Sequence, residues 1–163
     1  MDLVPFIPDN ITEVLAKIVL FTELRRGILN GNVRGVHTRG YRPRDLPVIE
    51  FANVLNVAVS EHLQHHRLLF RDTENITFGD GGTMRIHPIA DEHASSLLQT
   101  SPDEYLNLQI SRLFENSLNW QVARELMQRH CGTACDLPNM TRDNVMLTDV
   151  LSEDLPSRPA STE

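Results

Sequence analysis

The sequence predicts a mainly α-helical fold with long N- and C-terminal helices. A short middle helix, an irregular loop region and a disordered C-terminal tail complete it. Three observations predict this. Ile11, Val14, Leu15, Ile18, Phe21, Leu24 and Ile28 recur at three- and four-residue steps, the period of one helical stripe. Leu106, Ile110, Leu113, Phe114, Leu118, Val122, Leu126 and Met127 repeat the pattern towards the other end, with Trp120 at its edge. Only one shorter stripe, from Val48 to Leu63, lies between them.

Residues 1–8 carry two prolines and read as an irregular lead-in. Asn10 and Glu13 have capping-box spacing, in which each side chain satisfies an orphan backbone N–H. The helix expected over 11–29 would be roughly 28 Å long. Asn30-Gly31-Asn32, Gly35 and Gly40-Tyr41 then break the pattern and predict a structured turn. Asp45 is the expected cap of the middle helix, with Pro47 tolerated in its first turn. Val48, Phe51, Leu55, Ala58, Val59 and Leu63 make its apolar face, which fades into Gln64-His65-His66-Arg67.

Residues 72–100 hold Gly79, Gly81, Gly82 and Pro88 and predict a long loop insertion, about 70–100, with a strand around Met84-Arg85-Ile86. Ser101-Pro102-Asp103-Glu104 is the clearest helix start, since Ser caps, Pro takes the first helical position and the acids favour the N-terminus. Gly132 is the expected stop. A helix of about 30 residues, roughly 45 Å long, is too long for so small a domain to bury and needs a partner helix. One domain over 1–135 and a disordered tail over 136–163, rich in proline and polar residues, is the expected organisation.

Composition excludes several function classes. Acidic residues outnumber basic ones 22 to 15, for a net charge of −7, which disfavours nucleic-acid binding and docking on anionic membranes. The longest apolar run is Ile18-Val19-Leu20-Phe21, far short of the roughly 20 residues of a membrane span. The opening Met1-Asp2-Leu3-Val4-Pro5 lacks a basic n-region, so no Sec signal is expected.

Candidate chemistry is sparse. His62 and His66, four residues apart with His65 between, could chelate a transition metal and so define a metal-dependent enzyme. No third ligand is evident at a suitable spacing, and a polar helix end accounts for the same residues. Cys131 and Cys135 lack the spacing of a zinc site or of a disulfide framework. Gly79-Asp80-Gly81-Gly82 lacks the Lys and the strand–loop–helix context of a phosphate cradle and reads as a turn.

The stretch from Leu29 to Tyr41 resembles the signature A-N-x-A-N-x-x-T-P-G-Y that follows the first helix of flagellar rod, hook and filament-junction proteins. Asn32, Thr38, Gly40 and Tyr41 match it, while Gly35 stands for its second Asn and Arg39 for its Pro. Arg42-Pro43-Arg44-Asp45 and Phe51-Ala52-Asn53-Val54-Leu55 narrow the resemblance to the FlgB family of proximal rod proteins. Asn116-Ser117-Leu118-Asn119-Trp120-Gln121 is similar to the N-x-L-x-Y-Q of that family's last helix, with Trp120 for Tyr.

The resemblance, over residues 10–132, implies a structural subunit of the rod of the flagellar basal body, needed for assembly and motility, with no catalysis, cofactor or metal. It implies pairing of the long terminal helices as a coiled coil, through Ile18, Phe21 and Ile28 on one and Ile110, Leu113, Phe114, Leu118 and Trp120 on the other. Expected partners are further copies, other rod subunits, the membrane ring and the export gate; nucleic acid and membrane insertion are not expected. The subunit would leave the cytoplasm by flagellar type III export, without a cleaved signal, for the periplasmic rod. Phe51 and Leu55, one helical turn apart, fit the Phe-x-x-x-apolar segment that docks on the export gate. A coiled-coil adaptor unrelated to motility and the His62/His65/His66 metal enzyme are the competing expectations.

Overall fold

The computed structural model describes residues 10–131 and 145–147. Its elements are α1 (Asn10–Arg34), β1 (Arg44–Asp45), α2 (Val48–His65), β2 (Ile76–Phe78), β3 (Met84–Ile86), β4 (Ile89–Ala90), α3 (Glu92–Thr100), α4 (Pro102–Cys131) and β5 (Val145–Leu147), with short 3-10 turns at Gly35–His37 and Asp80–Gly82. The mainly helical class and the long first and last helices are as expected.

The first helix is central. Leu20 and Phe21 pack with Phe51 of α2, Leu46, and Ile76, Met84 and Ile86 of the hairpin, while Ile18, Leu24 and Ile28 flank this cluster. Phe21 and Phe51 stack face to face at 4.0 Å. A second cluster joins Leu15, Ala16 and Val19 to Ala123 and Met127 of α4, with Trp120 against it. The helices run antiparallel, because Leu15 and Ala16 meet the end of α4 while Asn32 meets Gln109 near its start.

Several expectations are corrected. Helix α1 continues through Asn30-Gly31-Asn32 to Arg34, because tertiary bonds to Asn32 outweigh the roughly 1 kcal/mol a helical glycine costs. The Asn10 side-chain amide donates to His62 Nδ1 at 3.1 Å, so it reaches across to α2. Asp45 does not cap α2, whose N-cap position is Pro47 without a side-chain cap; its carboxylate accepts from Arg25 instead.

The strand expected at Met84-Arg85-Ile86 is present as β3, but the rest of the expected long loop is ordered too: β3 belongs to an antiparallel hairpin, Ile76 facing Ile86 and Phe78 facing Met84, followed by helix α3. Asp91 caps α3 by accepting from Ala94 N at 2.9 Å, a signal masked by the few large apolar residues in Glu92–Thr100. Strands β1 and β4 pair antiparallel. Of the tail expected to be disordered, Val145–Leu147 instead forms a strand parallel to β3. The rest of that tail, and Cys135 before it, lie outside the described residues.

Lys17, the only lysine, is buried in α1. Its ammonium donates to the Gly82 carbonyl in the hairpin turn and lies 5.8 Å from the ring centres of both Phe70 and Phe78. Burial holds its pKa below the usual lysine value, partly offset by Glu13. The unfolded chain therefore binds the proton more tightly, and stability rises with pH as the folded-state pKa is passed, up to the unfolded value near 10.5. Lys17→Met should remove this alkaline rise and raise stability at pH 7 by about 1 kcal/mol, as replacing buried charge by apolar surface does. Urea melts at neutral and alkaline pH measure both effects.

Candidate functional site

Two of the four residues matched to the rod signature, Asn32 and Tyr41, meet in one junction at the end of α1. Asn32 is fully buried. Its amide nitrogen donates to the Arg44 carbonyl at 2.7 Å and to Gln109 Oε1 at 3.0 Å. Its Oδ1 accepts from the Tyr41 hydroxyl at 3.0 Å and from Arg44 N at 3.2 Å. Tyr105 of α4 donates its hydroxyl to the Asn32 carbonyl at 2.9 Å. One side chain thus ties the end of α1, the returning strand β1 and the first turns of α4.

The loop is shaped to deliver Tyr41 there. Thr38 N donates to Gly35 O, and Tyr41 N donates to Thr38 O, which folds the chain back on itself. Gly40 has φ +77°, a conformation that side chains with a Cβ rarely adopt. A Cβ on Gly35 would fall 2.5–2.6 Å from three atoms of the Tyr41 ring. Gly35, which departs from the signature's Asn, is therefore fitted to this ring. Burial raises the Tyr41 pKa against the lowering by Arg44, and burial with nearby Tyr41 and Asp91 pushes Tyr105 up to about 12. Both hydroxyls stay protonated donors at neutral pH.

Gly35→Ala should cost about 2 kcal/mol through overpacking. The Tyr41→Ala change should relieve part of that cost. The double mutant would then be less destabilised than the sum of the singles, and strict additivity in a denaturant double-mutant cycle would refute the contact.

Beside the junction lies a charged chain. Arg25 Nε and its terminal nitrogen donate to the two Asp45 oxygens at 2.8 Å each. Arg112 of α4 reaches Asp45 at 3.7 Å and also pairs with Asp91. These residues line an open groove of about 750 Å³ between the starts of α2 and α3. Asp45 and Asp91 are each held by an arginine, which favours a fixed structural role over proton transfer.

The expected helix-pairing set is only partly placed at the α1–α4 contact. Trp120 lies there and its Nε1 donates to Glu23 Oε1 at 3.3 Å. Asn116, matched to the Asn of the last-helix motif, donates to the Thr22 carbonyl at 2.7 Å. On α1, Phe21 and Ile28 face the α2 and hairpin cluster, and Ile18 borders both clusters. On α4 the correction is larger. Phe114 is 80% exposed, and Ile110, Leu118, Val122 and Leu126 are each about half exposed.

Leu113 sits with Ile110, Phe114 and Leu118 around a shallow concavity of about 340 Å³. The helix meets α1 through a different stripe: Tyr105, Gln109, Asn116, Trp120, Ala123 and Met127. Three of these are polar, and selecting large apolar residues from the sequence overlooks them. Their helical spacing, in steps of three, four and seven residues, was the signal available.

The remaining expected sites are settled by their positions. His62 and His66 rings are 6.4 Å apart and edge-on. His66 lies beyond the helix with φ +55°, which takes it out of the i, i+4 register that chelation needs. His65 is exposed, and no group of three or more metal-ligating side chains is found among the described residues. Phe51 is buried and Leu55 packs against the same cluster, so neither is available for docking in the folded domain. Among the described residues no helix is long and apolar enough to cross a membrane. No protein-family model, curated protein or solved structure matches this chain.

Proposed function

We propose that this chain is a non-enzymatic structural subunit of the proximal rod of the bacterial flagellar basal body, resembling the FlgB family. The observation that carries the reading is the Asn32 junction. Of the residues matched to the rod signature, Asn32 fixes α1 to α4 and bonds Tyr41, while Thr38 and Gly40 shape the exposed turn that brings Tyr41 there. The uncovered face of α4 supports it further, because a subunit that stacks with neighbours must present apolar surface as a monomer. In the assembled rod the α1–α4 pair would act as a coiled coil, with Ile110, Phe114 and Leu118 covered by adjoining rod subunits.

Export through the flagellar type III gate fits a buried Phe51, since the segment would be read in the unfolded chain and packed afterwards. Deleting the gene from its host should abolish flagella and swimming, restored by the wild-type chain. A Phe114→Glu variant should be secreted yet fail to restore swimming. Normal flagella in the deletion strain would reject the reading.

A further inference from the structure

The outward face of α2 is a second, independent feature. Ile49, Ala52, Asn56, Val59 and Leu63 follow one another at steps of three, four, three and four residues, the spacing of an a/d seam with Asn56 at a central a position. All five are exposed, Ile49 at 79% and Leu63 at 75%. The opposite side of the helix, with Phe51, Val54 and Ala58, is the one buried in the domain. A helix packed on a domain ordinarily turns charged residues to solvent. Here the only charged residues of Val48–His65 are Glu50 and Glu61. Both lie at the edge and are already engaged, Glu50 by the Asn75 backbone and amide and Glu61 by Arg71.

We propose that this face is a self-association surface, on which a second copy of the chain docks its own α2 parallel and in register. One feature permits a second copy here and another selects it over other partners. The net charge of −7 opposes self-association in general, but the seam holds no charged residue, so two copies meet there without like charges face to face. Asn56 in a buried seam is satisfied best by the same amide from an identical helix, whereas an all-apolar partner would leave it unpaired. The face offers on the order of 450 Å² of apolar area per copy. That is near half of what each partner gives to a standard interface, so the dimer is weak and reversible. The proposal does not depend on the rod reading, since it concerns the purified chain alone.

Sedimentation equilibrium of the full chain, from about 10 μM to about 1 mM, the range in which interfaces of this size dissociate, tests it. The mean mass should climb from monomer towards dimer. Leu63→Arg should weaken association at least tenfold while far-UV circular dichroism stays unchanged, because Leu63 touches solvent in the monomer. Gln99→Arg, at an exposed position on α3, should leave association unaltered. Asn56→Cys, in a chain with Cys131 and Cys135 replaced by Ser, should oxidise to a covalent dimer, as only in-register helices bring position 56 to its own copy. A chain that stays monomeric throughout would overturn the proposal. So would association that survives Leu63→Arg or is lost with Gln99→Arg, or an Asn56→Cys chain that fails to cross-link where dimer is populated.

Discussion

Asn32→Ala is expected to cost about 3–5 kcal/mol, enough to remove most of the stability of an ordinary domain. The effect comes from what is left behind. The substitution deprives the Arg44 N–H, the Arg44 carbonyl, the Tyr41 hydroxyl and the fully buried Gln109 Oε1 of a partner. Gln109 Nε2 is already a buried donor without a hydrogen-bond partner, so the site has little spare capacity to re-pair. Asn32→Asp should be no better, because it loses both donor bonds and buries a charge. Denaturant midpoints measure the effect, and a loss under about 1 kcal/mol for the alanine variant, the range of an ordinary surface change, would show that the junction is not what ties the helices.

The second large effect is expected at Asp45. Its side chain and that of Arg25 are only 11% and 7% exposed, and Leu46 N also donates to the carboxylate at 2.8 Å. Asp45→Ala leaves the Arg25 guanidinium buried and unpaired, which costs about 3–5 kcal/mol. Replacing both partners, Arg25→Met with Asp45→Leu, should recover most of that loss, since desolvation disappears together with the attraction. If the double variant is as unstable as Asp45→Ala, the contributions of Leu46 N and Arg112 outweigh the pair, and the cost belongs to the loop. The comparison also separates the α1–α2 connection from the α1–α4 one, because Asp45 sits on the strand that leads into α2.

The sequence by itself determined that the chain is mainly helical, where α4 begins, and which residues have the α1 and α2 periods. These properties are local. The start at Ser101-Pro102 follows from capping and fixed φ, and an apolar stripe follows from 3.6 residues per turn. The resemblance to the rod signature pointed to Asn32, Thr38, Gly40 and Tyr41, of which Asn32 and Tyr41 meet in a hydrogen bond while Thr38 and Gly40 shape the turn between them.

What only the tertiary structure decided is which stripe faces which neighbour. Helix α4 carries two stripes, and size alone favours Ile110, Phe114 and Leu118. Yet α1 is met by Tyr105, Gln109 and Asn116, because the facing backbone and Asn32 offer hydrogen bonds that apolar residues cannot make. The same holds for Asn30-Gly31-Asn32, whose composition signals a break but which is held helical by bonds to residues 12 and 77 positions away. Strand β3 is legible at Met84-Arg85-Ile86, but its partner β2 and helix α3 are not, because their signals are a three-residue strand and an Asp cap, too short for any period to show. Partners distant in the chain make these choices, and no local pattern contains them.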